Sequence, residues 1–559
     1  MTQIDDTSPL RKLDEIRERE EEDLAHILSG RYNLPYIDLT KVSINSDALK
    51  LIPEDLARRA GVALFSMAGK NLEAAVLSPR NESLAPLLAD LAEKHYNVAL
   101  HVASGTSLER AWSRYAEISS ATKSQAGLID ISEEELGKYS SSVRTIDDIR
   151  TSIVETLKTA KSHGTSKLLE LILAGAIAID ASDIHLEPEE SSARLRLRLD
   201  GVLQDVAELK KEAYVLILSR IKLISALKLN IKGAAQDGRF SIKLGDVEIE
   251  IRTSVTPGAY GEGVVLRVLN PRSIEISFEE LGIPPRLRSV VDIEIEKPNG
   301  MVLVTGPTGS GKTTTLYTFL KKINVPGSKV ITIEDPIEYH LKGVSQTQVN
   351  TEKGYTFVEG LRAALRQDPD ILMIGEIRDH DTAGVAINSA LTGHLVFSTL
   401  HTNDASGAIP RLVDLEVNPK VISSAVSITL AQRLVRKLCK ACKAKADLSV
   451  ADRAILDAVI ADIAKKEPES IPKQIVAYRA VGCSECNNTG YKGRIGIYEG
   501  VRMTAEVEKV ISGSVSEREI SDAAEAQKLL WMREDGVVKL LAGVTSLEEL
   551  KRVIDLSPI

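Results

Sequence analysis

Eight consecutive residues, Gly306-Pro307-Thr308-Gly309-Ser310-Gly311-Lys312-Thr313, follow the apolar run "MVLV" at 301–304 and carry the spacing G-x-x-x-x-G-K-[ST]. The chemistry open to this pattern is phosphate binding. Its glycines let the backbone curl so that successive N–H groups face phosphate oxygens, and the helix that follows adds its positive end. Lys312 can reach the β- and γ-phosphates, the Thr313 hydroxyl can ligate Mg²⁺, and Thr314 is counted with the loop. Three further apolar runs end in polar or acidic residues: "KVITIEDPIEY" (329–339), "DILMIGEIRD" (370–379) and "HLVFSTLHT" (394–402). In a doubly wound sheet ligands sit beyond the carboxyl ends of the strands. Glu334, Asp335, Glu338, Glu376 and His401 are therefore expected to converge on the crevice that holds Lys312. Any one of these acids alone would do no more than cap the next helix.

Four cysteines form two C-x-x-C pairs, Cys439/Cys442 in "CKAC" and Cys483/Cys486 in "CSEC". Paired in this way in a chain without a secretory leader, they read as a zinc site, with a redox pair as the alternative. Four thiolates suit a closed tetrahedral structural centre. The interval between the pairs is longer than in a zinc ribbon, so a small subdomain is expected around the metal. That interval, "ADLSVADRAILDAVIADIAKKEPES", is not notably basic and does not point to nucleic acid.

The elements that must position these groups are those of an ordinary globular chain. Of 559 residues, 43% are hydrophobic and 27% charged, which asks for several domains. A net charge of −9 and an aromatic content of 4% leave neither a basic footprint nor a stacking surface for nucleic acid. The first twenty residues lack the apolar centre of a signal peptide. The longest apolar stretch, "LLELILAGAIAI" (168–179), is too short to span a bilayer. A cytoplasmic protein is expected, able to dock on a membrane protein.

Along the chain, residues 11–28 read as a charged helix whose glutamates form a solvated face. Strands "VALFSMA" (62–68), "LEAAVLS" (72–78) and "NVALHVA" (97–103), with helices between and after them, make a small α/β domain ending near 116. Residues 117–150 read as a polar linker with room for one short helix. A second α/β domain spans 151–285, with helices at 166–181 and 214–227 and strands at 194–203 and 246–255. "GAYGEG" (258–263) is read as a β-turn. The last domain, 286–559, holds the phosphate loop, the zinc subdomain (about 433–498) and a helical tail (499–559). The fold class is α/β and multidomain.

At this point the sequence resembles a known family, the type II secretion and type IV pilus assembly ATPases. The resemblance rests on "GPTGSGKTTT", "ITIEDPIEY", "ILMIGEIRD", "TGHLVFSTLHTNDA" (392–405), "ASDIHLEP" (181–188), "QDGRF" (236–240), "GEGVVLRVL" (261–269), "QRLVRKLC" (432–439) and "CNNTGYKGRIGIYE" (486–499). It implies a RecA-like ATPase domain, a PAS-like second domain, and a Mg²⁺- and ATP-dependent homohexamer. Such a motor works with an inner-membrane platform protein and, through it, on pilin or pseudopilin subunits. Direct nucleic-acid binding is not expected, although DNA-uptake systems use close relatives and a nucleic-acid-handling ATPase is the alternative. By the resemblance, Glu376 stands behind the Mg²⁺ site and Glu338 orients the attacking water, with Glu334 and Asp335 as alternatives. His394 and His401 sense the γ-phosphate or couple subunits. Arg252 and Arg267, with Arg239 behind them, are arginine fingers carried by the second domain. His185 is read as structural. The tetracysteine insertion and the N-terminal domain imply an assembly or secretion motor rather than a retraction motor. The leucine- and glycine-rich repeat that binds a cyclic dinucleotide in some members is absent, and no such binding is expected.

Overall fold

Strands built wholly from β-branched and aliphatic residues need cover on both faces, and the sequence supplies it by alternating them with helices. The computed structural model of the chain describes residues 8–42, 44–122, 128–130, 143–159, 164–244, 247–271, 276–513 and 515–557. The molecule divides into two units, Met1–Asp130 and Ile131–Ile559.

In the first unit, β1 (Val62–Ala68) runs antiparallel to β2 (Asn71–Val76), which runs parallel to β3 (Asn97–Val102). Helices Leu84–Glu93 and Gly105–Thr122 accompany them. The charged helix extends over Ser8–Tyr32, and its glutamates are not all solvated. Glu21 accepts hydrogen bonds from the N–H and hydroxyl of Thr106, and Glu22 from the hydroxyls of Ser104 and Tyr36. Both carboxylates thus sit at the amino end of helix Gly105–Thr122, where the free N–H groups and the helix dipole favour negative charge.

Among its described residues the second unit holds two large sheets and a two-stranded ribbon that pairs Ala444–Lys445 with Tyr478–Arg479. The first contains β4 (Asp183–Pro188), β5 (Ser192–Leu199), β6 (Val202–Lys210), β7 (Gln236–Leu244), β8 (Val247–Gly258) and β9 (Gly261–Leu269), in the order β7-β8-β9-β4-β5-β6 with every pair antiparallel. Residues 194–203, expected as one strand, are split by a turn at Asp200-Gly201, both with positive φ. Asp-Gly is the standard sequence of such a two-residue hairpin turn, so the signal was present. Residues 258–263 join β8 to β9 as a hairpin, with Gly258 paired to Gly261. Part of the expected linker, residues 123–127 and 131–142, lies outside the described residues. Its last residues belong to helix Ile146–Thr159, which packs on helix Gly164–Ala178 through Ile149 and donates from the Arg150 side chain to the carbonyl of Val206.

The second sheet contains β10 (Gly300–Thr305), β11 (Val330–Glu334), β12 (Ser345–Gln348), β13 (Ile371–Ile374), β14 (Leu395–Leu400), β15 (Val426–Leu438) and β16 (Tyr491–Arg502). Its order is β12-β11-β13-β14-β10-β15-β16, parallel except for the last pair. Alternate residues of β10 enter different cores. Met301 and Leu303 pack with Ile333, Leu372, Val396 and Ile409, while Val302 and Val304 pack with Leu316, Phe319 and Phe397. Every residue of β10, β13 and β14 is buried. No described helix is long and apolar enough to cross a membrane.

Candidate nucleotide site and four-cysteine centre

The phosphate loop leaves β10 at Thr305 and enters helix Lys312–Ile323. Gly306, Gly309 and Gly311 all have positive φ, a conformation that side-chain-bearing residues rarely adopt. Space enforces the choice as well. A Cβ on Gly306 would stand 2.5 Å from the Gln432 carbonyl oxygen, and one on Gly311 would stand 2.7 Å from Gln432 Nε2. Gln432, on the neighbouring strand β15, fastens the loop from outside. Its side-chain Nε2 donates to Ser310 O at 2.7 Å, and its side-chain Oε1 accepts from the Thr315 hydroxyl at 2.8 Å. Pro307, Thr308 and Gly309 form the exposed crest, and Thr313 and Thr314 open the helix. Lys312 Nζ donates to the carbonyls of Gly306 (2.7 Å) and Pro307 (3.2 Å). Burial holds its pKa below the ordinary lysine value, the Arg433 charge adds to this, and Glu376 opposes it.

Glu376 and His401 meet beside this loop, Nε2 to Oε2 at 3.2 Å. They come from the carboxyl ends of β13 and β14, adjacent strands of the same parallel sheet. Arg378 forms an ion pair with the other oxygen of Glu376. That arginine lies within the quoted "GEIRD" but was not singled out in the sequence. The other expected residues are placed differently. Glu334 is 3% exposed and accepts from the hydroxyls of Tyr317 and Thr332 and the amide of Gln346, which ties it into the core. Burial raises its pKa. His394 precedes β14, and its Nδ1 lies 3.0 Å from Ser389 O. Its position departs from the expectation of γ-phosphate sensing and leaves that of coupling subunits. A six-residue strand separates it from His401, roughly 20 Å of extended chain, and ligands gather at the far end.

The arginines of the second domain lie in one line. Register places Arg239 opposite Arg252, Arg252 opposite Arg267, Arg267 opposite Asp183, and Asp183 opposite Arg198. Directly opposed residues of antiparallel strands share a face, so four guanidinium groups and one carboxylate form a row across five strands. Asp183 pairs with Arg267 at 3.1 Å and with Arg198 at 3.2 Å. Arg252 leaves the row and reaches the motor domain, where Nη1 donates to Glu338 Oε2 at 2.9 Å and Nη2 to Ile337 O at 2.6 Å. Arg198 and Asp183 had no signal in the sequence, because register cannot be read from one strand at a time. His185 stands beside them, 3.4 Å from Arg198, with burial depressing its pKa.

Cys439, Cys442, Cys483 and Cys486 bring their four sulfurs within 4.8 Å of one another. Three of the separations are 3.9 Å (439–483), 3.8 Å (442–486) and 3.7 Å (483–486). A tetrahedron of thiolates at the usual Zn–S distance has edges of about 3.8 Å, so the set fits a zinc ion. The N–H groups of Cys483 and Gly490 point at Cys486 Sγ, and that of Gly482 at Cys442 Sγ. Helix Val450–Lys466 fills the interval between the pairs and buries Leu456, Val459 and Ile463.

Residues 158–552 match the family model of the type II/IV secretion system protein, and residues 32–122 that of the MshEN domain. The chain is 37% identical over 532 residues to the type IV pilus assembly ATPase PilB of Myxococcus xanthus, covering 95% of this chain and 91% of that one. It is 47% identical over 387 residues to the type II secretion system protein E of Pseudomonas aeruginosa, covering 69% of this chain and 75% of the relative. An X-ray structure of the Legionella pneumophila ATPase DotB superposes with a TM-score of 0.50 at 21% identity, over 70% of this chain and 96% of that one, a likeness of fold. A match across that much of the chain, joined to this loop and this sheet order, leaves one assignment: the chain belongs to the type II/IV secretion system protein family, the family of secretion and pilus assembly ATPases.

Proposed function

We propose that this ATPase works as a homohexamer in the cytoplasm, docked on an inner-membrane platform protein, and powers assembly of a pilus or secretion pseudopilus from pilin-like subunits. The observation that carries the reading is the meeting of Lys312, Glu376 and His401 at the carboxyl edge of one parallel sheet. Lys312 and the loop N–H groups bind the β- and γ-phosphates of ATP. The Ser310 hydroxyl, buried and without a partner among the described residues, is a further donor for them. Thr313 would hold Mg²⁺ with Glu376 behind it, and the ion would supply neutralisation of the phosphate charge. Glu338 orients the attacking water, Arg252 and Arg267 stabilise charge on the transferred phosphoryl group, and His401 reports its departure through Glu376. Zinc in the four-cysteine centre is structural.

The test is the full-length Glu376→Gln variant. It should retain ATP while steady-state phosphate release falls to background. When the tagged variant is recovered from native membranes, it should bring down a polytopic platform protein together with pilin-like subunits. Unchanged turnover would overturn the role of Glu376. Recovery of DNA-processing proteins with no platform protein would overturn the proposed load.

A further inference from the structure

Asn487 follows the last cysteine, and its φ of 51° is stabilised by the turn that the thiolates organise. Its side chain does not serve that turn. Oδ1 accepts the backbone N–H of Ile146 at 2.8 Å, across 341 positions of sequence. Ile146 is the first residue of helix Ile146–Thr159, so this N–H is one of the donors a helix cannot satisfy within itself. The helix belongs to the second domain, fixed there through Ile149 against Gly175 and through Arg150 on Val206 O. A second bond runs alongside, with the Gly493 N–H donating to Asp200 Oδ2 at 3.0 Å in the hairpin turn between β5 and β6. Both bonds leave the same short stretch, 487–493, whose start is set by the cysteines. That stretch continues into Arg494 and Ile495, which line a cavity of about 1000 Å³ together with Gly311 and Thr314 of the phosphate loop and Asp180 and Asp200 of the second domain.

We infer that Asn487 is a positioning residue, through which the four-cysteine centre clasps the second domain to the motor domain and sets the width of the cavity beside the phosphate loop. The metal then does more than staple its own subdomain. By fixing the turn it presents Asn487 to helix Ile146–Thr159 and holds the arginine-bearing sheet at a defined distance from Lys312. The inference rests on the proposed ATPase reading only where nucleotide is concerned; the clasp itself is a contact between two domains.

The variant that isolates it is Asn487→Gly in the full chain, because glycine keeps the positive φ without strain and takes away the acceptor with the rest of the side chain. Zinc content should stay at the wild-type level. Hydrogen exchange of amides 146–159 should quicken roughly three- to tenfold, the range one neutral hydrogen bond is worth in an opening equilibrium. The Kd for mant-ATP with Mg²⁺ should rise by a similar factor, because a wall of the cavity is no longer preorganised. Chelating the metal from the wild type should quicken the same amides, and chelating it from the variant should add no more than the loss of the parallel Asp200 bond. Asp200→Ala, which cuts the parallel bond, should quicken them too. Unchanged exchange at 146–159 in Asn487→Gly with its zinc retained would overturn the proposal, as would full protection of that helix in chelated wild type. Neither readout depends on turnover or on a secretion partner, so the clasp can fail while the proposed function stands, and the reverse.

Discussion

The motor sheet hides its charge and the arginine sheet displays it. Around β10, acids lie inside the fold and are satisfied there. Glu334 is held by Tyr317, Thr332 and Gln346, and Glu499 accepts the N–H groups of Ala405 and Met532. Across the second domain, Arg239, Arg252, Arg267 and Arg198 line one face around a single aspartate. Like charges set directly opposite one another work against folding, so such a row persists only where an anion repays the repulsion. The phosphate loop is thus assembled in advance, with Gln432 fixing its backbone, whereas the arginines are parked on Asp183 and Glu338. In the proposed function, one half holds the nucleotide and the other arrives at it.

The sharpest way to break this contrast is to truncate one cation from each half. Arg252→Ala should lower turnover about 10³-fold while leaving the Kd for ATP nearly unchanged. Lys312→Ala should abolish binding and turnover together. Equal loss of affinity in both, by fluorescence titration beside phosphate release, would mean that the arginine row holds ground-state nucleotide and is not parked at all.

A smaller effect concerns the buried acids. Burial pushes Glu499 up to about 7 from an ordinary value of 4.5. A carboxyl raised in the folded state keeps its stabilising share below the unfolded value and loses it as pH rises through the folded one. Stability should therefore fall between about pH 4.5 and pH 7, by the order of 2–3 kcal/mol for a fully buried group. Glu499→Gln should flatten that slope in urea melts taken across the range. A slope the substitution leaves alone would place the titration elsewhere. The smallest effect is a gain. Arg239 faces Arg252 directly, and Arg239→Gln should stabilise the chain by a few tenths of a kcal/mol. That gain should shrink as added salt screens the row, because charges on this face are screened over a Debye length of about 10 Å at 0.1 M. No gain at low salt would mean that the row is already neutralised.

The motor half was far more legible in the sequence than the arginine half. A parallel strand buried on both faces announces itself as an apolar run, and its carboxyl end is where chemistry gathers; Glu376 and His401 follow from that alone. Glu334 misled because β11 is covered on both faces, so a side chain at its end is buried whichever way it points. His394 misled for a simpler reason, since it precedes its run where His401 follows it. In the antiparallel sheet, by contrast, Arg252 and Arg267 were known only through the family resemblance. Their alignment with Arg239, Asp183 and Arg198 is a property of register across five strands, which no single strand encodes. Gln432 has no mark in the sequence, because a side chain that braces a loop from the next strand has no local pattern.

The cysteine pairs stand 44 positions apart, on segments that the antiparallel pairing of β15 with β16 brings side by side. During synthesis Cys439 and Cys442 leave the ribosome first and offer a metal half of its ligands. Only when β16 has docked on β15 can Cys483 and Cys486 complete the set. By the loop-entropy argument, a cross-link closing a ring of this length is worth about 4 kcal/mol against the open chain. Full occupancy of the centre would then be a record of folding history: a chain that held a metal there tightly would be one whose antiparallel edge strand had already closed.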